Sequence, residues 1–188
     1  SLAICCKSLV VCSSSTLVLI EENSIKRFMV IFNNDEPPRD ITTFGEESIA
    51  LGVHPRFANM ILKANELGFA YDACLLTSML IEKDIFSKQS SSCDIYERYI
   101  VLKEKEFFNT NLNTYTAKQV LKQATYFYKR LKTLKKIKEE KKSLIKEMLG
   151  VLLLFAYPNR LAKQRIKNEN KYKLSNAKGA IINAKDTL

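Results

Sequence analysis

The residues able to do chemistry are sparse, and most of them are basic. No GxxxxGK[ST] motif occurs, and the glycines at 45, 52, 68, 150 and 179 cannot supply one, so no phosphate-cradling loop is expected. There is one histidine, His54, directly ahead of Pro55. A nucleophile–histidine relay would have to run through it, and its place suggests a helix-entry residue instead. The carboxylate pairs Glu46-Glu47 and Glu139-Glu140 fall in helical patterns and read as solvated faces rather than acid–base pairs. The five cysteines, at 5, 6, 12, 74 and 93, have neither metal-type nor disulfide-framework spacing, and reduced thiols in a cytoplasmic protein are expected. No catalytic, cofactor-binding or metal-binding residue is predicted.

Charge is the strongest signal. Residues 1–128 carry 13 basic and 15 acidic side chains, whereas residues 129–188 carry 17 basic and 5 acidic ones. The whole +10 excess therefore lies in the last third. A one-sided basic field attracts polyanions, with a lysine-rich solvated helix face as the competing account. An anionic membrane is disfavoured, because the 129–146 stretch keeps an ordinary core stripe. The opening run SLAICCKSLVVCSSSTLVLI is broken by Lys7 and by Ser13 to Ser15, and it has no basic start region, so neither a membrane span nor a signal peptide is expected.

The elements that must position these side chains are mostly helices. Thr43, with Glu46 three residues on, reads as the cap of a helix through Leu51. Pro55 opens a helix carrying Phe57, Ile61, Ala64 and Leu67, and Gly68 stops it. A helix over 70–83, one from Asp94 to about Glu106, a long one over 115–142 and one over 143–157 follow from the apolar spacing, with Pro158 ending the last. Residues 86–92 read as loop. At the end, Tyr172 and Leu174 alternate with lysines, Asn176 to Gly179 reads as a turn, and Ala180 to Ile182 returns as a strand. Residues 1–40 are irregular or weakly β, with strand candidates at Val10-Val11, 17–20 and 28–32 before the Asn33–Pro38 break. The expected fold is mainly α: an unassigned segment over 1–40, a helical bundle over 41–157, and the start of a β domain over 158–188.

Several blocks carry a resemblance. The stretch LGVHPRFANMILKANELG (51–68), led in by ITTFGEESIA (41–50) with its T-x-x-G, resembles DEAH-type ATP-dependent helicases of the HrpB type where they enter the helical ratchet domain. FAYDACLLTSMLIEKDIF (69–86) is similar to that family's next helix, and Ser91 to Leu102 fits with Asp94 and Arg98 in place. LLLFAYPNRLAKQR (152–165) and KYKLSNAKGAII (171–182) look like its A-[FY]-P-x-R-[IL]-A stretch and its N-G-R-G hairpin, which opens an OB-like β domain. Ala177 and Lys178 stand where the family has Gly and Arg. The resemblance covers 42–182 in the family's order, and residues 1–40 match none of it.

The resemblance implies a fragment, from a trimmed or truncated gene product, of a protein whose motor, elsewhere, uses ATP and Mg²⁺. It implies that the chain itself needs no cofactor and that its partners are single-stranded RNA or DNA and the motor domains. Arg56, Arg160, Lys163, Arg165 and Lys178 stand on or beside the motif positions and are the candidate phosphate contacts. For Arg56 the competing role is a cap or ion pair on its own helix. Tyr157 and Tyr172 are candidates for base stacking, against core filling. The alternative function is a helical scaffold whose apolar stripes dock another protein.

Overall fold

In the computed structural model of the chain the described residues are 2–5, 9–12, 41–86, 94–105, 111–138, 146–166, 171–175 and 177–181. Six α-helices lie among them: α1 (Thr43–Leu51), α2 (Pro55–Leu67), α3 (Ala70–Ile81), α4 (Ile95–Glu104), α5 (Thr114–Leu134) and α6 (Lys146–Ala156). Five strands, β1 (Leu2–Cys5), β2 (Leu9–Cys12), β3 (Leu161–Gln164), β4 (Lys171–Leu174) and β5 (Gly179–Ile181), form one sheet in the order β1-β2-β3-β4-β5. The fold is mainly α with a C-terminal hairpin-like sheet, as expected. The strand candidates at 17–20 and 28–32, the break at 33–38, the loop at 87–93, residues 139–145 and Ile182 lie outside the described residues.

Local signals account for the helix ends. His54 is the N-cap of α2, its Nδ1 accepting the Arg56 N–H at 3.3 Å, and Pro55 takes the first helical position, where its missing N–H goes unneeded. Gly68, at φ 82°, closes the helix in a left-handed conformation that a side chain would strain. Asp94 caps α4 by accepting the Tyr96 N–H at 2.9 Å. For α1 the cap is Thr42, not Thr43: its hydroxyl accepts from Gly45 N, which puts Glu46 one position too far on for a reciprocal capping box.

The long helix is shorter than its pattern. α5 stops at Leu134, and Lys135 is already extended (φ −140°, ψ 152°). The cause is Asn65, buried on α2, whose Nδ2 donates to Lys136 O at 3.3 Å while its Oδ1 accepts the Lys138 N–H at 3.2 Å. That pair of bonds holds 136–138 extended against α2, and a run of like-charged lysines at 132, 135, 136 and 138 offers little to resist it.

The apolar stripes of α2, α3, α5 and α6 meet in one core built on Met60, Ile61, Leu75, Leu76, Val120, Leu131, Leu149 and Leu152, all fully buried. α3 packs on α2 and α5, and α6 packs on α2. α6 also lies against β1 and β2, so the contacts run in sequence from the sheet through α6, α2 and α3 to α5. Two polar clusters pin α4. Asp84 accepts two bonds from Arg98, at 2.8 and 2.9 Å, and the guanidinium lies over the Phe86 ring. Buried Asp72 accepts from Tyr99 OH at 2.8 Å and from Lys103 Nζ. Among the described residues no helix is long and apolar enough to cross a membrane.

Candidate nucleic-acid interface

Two groups of basic residues come together where α6 hands over to the sheet. The first is set by Asn59, buried on α2, which donates Nδ2 to Phe155 O at 2.8 Å and so fastens the start of α2 to the end of α6. The chain leaves α6 at Tyr157 and makes one 3-10 turn, Pro158–Arg160. Phe57 meets the Tyr157 ring edge-on at 6.1 Å, and the Arg56 guanidinium lies 5.7 Å from the centroid of the same ring. Partial burial pushes the Tyr157 hydroxyl above its ordinary value, while Arg56 and Arg160 pull it down. The phenol therefore stays neutral beside two cations. Arg56 and Arg160 are thus brought to one aromatic residue, with Tyr157 half-buried between them.

The second group is the outer face of the sheet. Ser175 fixes its position: its N–H donates to Leu161 O at 2.8 Å and its hydroxyl to Pro158 O at 3.0 Å. In the resulting antiparallel register Lys163 faces Lys173 and Gln164 faces Tyr172, and Lys173 pairs with Gly179 of β5. One position further, the Arg165 N–H donates to Lys171 O at 3.0 Å. Side chains alternate across a strand, so Lys163, Arg165, Lys171 and Lys173 all stand on one face, and all four are exposed. The other face holds Ala162, Tyr172 and Leu174, which are buried. The Arg165 side chain reaches across to β5, where its Nη2 lies within van der Waals reach (3.6 Å) of the position a Cβ would take at Gly179.

An open groove of about 820 Å³ runs along this face, lined by Leu161, Lys163, Arg165, Lys173, Leu174, Ser175 and Ala177. No ion pair to Lys163, Arg165 or Lys173 forms among the described residues. Successive cations on β3 are two residues apart, about 6.6 Å, and like charges face each other across the ladder. An anionic chain lying along such a surface would relieve the repulsion between these like charges.

Of the sequence candidates, Lys163 and Arg165 line the groove, Lys178 is exposed in the turn before β5, and Arg56 and Arg160 form the separate cluster at Tyr157. Lys171 and Lys173 are absent from those candidates, although their alternation with Tyr172 and Leu174 is the signal that points to them. Tyr172 is not a stacking residue: it faces inward and is core. Gly52 and Gly68 are helix C-caps, and among the described residues no group of three or more His, Cys, Asp or Glu side chains could hold a metal ion.

No protein-family model matches the sequence, and no curated protein does. Among solved structures, the crystal structure of Escherichia coli DEAH/RHA helicase HrpB is similar at TM-score 0.58 and 20% identity, over 88% of this chain and 18% of that one. A crystal structure of the E. coli DExH-box NTPase HrpB matches at TM-score 0.57 and 20% identity, over 88% of this chain and 17% of that one. The chain spans less than a fifth of the length of the helicases it matches. It has the fold of one segment of an HrpB-type DEAH/RHA helicase, as its motif blocks implied.

Proposed function

We propose that this chain is an accessory region of a helicase-type machine in the cytoplasm, gripping single-stranded RNA or DNA by its phosphates while a separate motor uses ATP and Mg²⁺. The observation that carries the reading is the paired row of cations on the outer face of β3 and β4, with Lys163 opposite Lys173 and Arg165 bonded to Lys171. Arg160 directly precedes β3 in the chain and so links this row in sequence to the cluster at Tyr157 and Arg56. Contacts of this kind position a strand without reading its sequence. Tyr157 is only partly buried, and a base could stack on the part of its ring face left open beside Arg56 and Phe57. Among the described residues the exposed aliphatic side chains Ile49, Ile81 and Ile166 come from different parts of the fold, which supports the nucleic-acid reading over the scaffold one.

The test is fluorescence anisotropy with a labelled single strand, comparing the wild type with a Lys163→Gln/Arg165→Gln/Lys173→Gln variant. Loss of on the order of tenfold in affinity, equal for two unrelated sequences, is expected. Unchanged affinity in the triple variant contradicts the reading.

A further inference from the structure

The most uniform charge in the molecule is not at the sheet. α5 is 21 residues long, about 31 Å, and its sequence TYTAKQVLKQATYFYKRLKTL holds four lysines, one arginine and no acidic residue. Its buried stripe, Ala117, Val120, Ala124, Phe127 and Leu131, is spent on the core. Tyr115, Lys118, Lys122, Tyr126, Lys129 and Lys132 fall on the opposite side, within about 120° of arc at 100° per residue, and all six are exposed or partly exposed. Among the ion pairs of the described residues none involves Lys118, Lys122, Lys129 or Lys132, and Glu47 meets Lys135 just beyond the helix end at 2.9 Å. α5 packs on α3 and α1, whereas the sheet packs chiefly on α6, so this face and the groove are carried by different elements.

We propose that the outer face of α5 is a second polyanion site, and that its occupant is the phosphate backbone of double-stranded nucleic acid. Charge complementarity identifies the ligand class: a straight, acid-free rod of cations matches a continuous line of phosphates. The shape selects a duplex, because a single helix is convex, with no channel to thread a strand, whereas the backbone of a duplex can lie against it. An acidic protein partner fits less well, since lysine is depleted in protein interfaces and the large exposed side chains on this face, Tyr115 and Tyr126, are rings that can also lie against nucleic acid rather than aliphatic anchors. A membrane fits worse, as the apolar side of α5 is already buried. Ring contacts hold the cations in place along the helix. Arg130 donates Nη1 to Tyr126 OH at 2.9 Å, and Lys132 Nζ lies 4.5 Å from the Tyr128 ring centroid. The α5 face and the sheet groove are separate surfaces, so either can bind without the other.

The experiment measures binding of a labelled 20-base-pair blunt duplex to the whole chain across a salt series. Three variants are compared by circular dichroism and affinity: Lys118→Gln/Lys122→Gln/Lys129→Gln/Lys132→Gln, the smaller Lys122→Glu/Lys129→Glu, and the sheet variant Lys163→Gln/Arg165→Gln/Lys173→Gln. Both α5 variants should lose at least about tenfold in duplex affinity, and the fourfold variant should flatten the slope of log K against log salt by about three to four, from 0.9 per phosphate contact. The sheet variant should lose clearly less duplex affinity than either α5 variant. Duplex affinity unchanged in either folded α5 variant, or lost equally in the sheet variant, overturns the proposal. So does displacement of the duplex by poly-glutamate at equal charge, which would make the face a site for acidic protein. A duplex preference that survives poly-glutamate and tracks the α5 lysines supports it.

Discussion

Lys163 and Lys173 stand directly opposite each other on neighbouring strands, both exposed, on the face that lines the groove. Like charges in that position destabilise a sheet by about 0.2–1 kcal/mol. A fold that tolerates the pair keeps it against stability, which is the pattern of a binding surface. Lys163→Gln or Lys173→Gln should therefore raise Tm by about 1–3 °C at low salt, with the gain vanishing in high salt, while single-strand affinity falls. Calorimetry and anisotropy on the same variant check both halves. A variant that loses stability, or gains it without losing affinity, breaks the link.

Ala177 adopts φ 66°, a left-handed conformation that an L side chain resists by roughly 1–2 kcal/mol. It occupies the position where the resembling hairpin has glycine. Ala177→Gly should stabilise the chain by up to about 1 kcal/mol, since relief of strain outweighs the added freedom of the unfolded chain. Urea unfolding measures it, and a destabilised variant would contradict the assigned turn geometry.

Asn65 ends α5 from a distance, bonding Lys136 O and the Lys138 N–H. Asn65→Ala strips both backbone groups of this partner in a mostly buried setting, at a cost of about 1–3 kcal/mol. The drop should appear in thermal unfolding together with faster hydrogen exchange at Lys138. Stability within about 0.5 kcal/mol of the wild type, the spread of neutral changes, would contradict the clamp.

Tyr99 is 1% exposed and donates to the Asp72 carboxylate, so burial first and the adjacent negative charge second push its hydroxyl far above the usual value of 10.0. Below pH 10 both folded and unfolded states keep the proton, and the full stability is present. Above it the unfolded chain ionises while the folded one does not, so stability falls by about 1.4 kcal/mol per pH unit from this group. Tyr99→Phe should remove that slope between about pH 10 and 11.5, as read by urea unfolding at each pH. An equal slope in wild type and variant would contradict it.

The sequence discloses what depends on neighbours in the chain and hides what depends on distant ones. Pro55, Gly68 and Asp94 mark their helix ends because cap and helix are adjacent. The adjacent threonines mislead the capping pattern by one residue, although the T-x-x-G of the family lead-in begins at Thr42. The end of α5 is illegible because the side chain that fixes it lies 71 residues earlier. β3 escapes notice for a similar reason: Leu-Ala-Lys-Gln favours helix, and the strand exists by pairing with β4 and, in parallel, with β2. Lys163 and Arg165 are readable from the motif, whereas their alignment with Lys173 and Lys171 emerges only once the register is set.

The most direct test of the strand-gripping account is the salt dependence of single-strand binding by the intact chain. With about three to five phosphate contacts, log K should fall against log salt with a slope between about −2 and −3.5, at about −0.7 per contact for single strands. No binding at about 50 mM salt, or binding with a slope near zero, would contradict it.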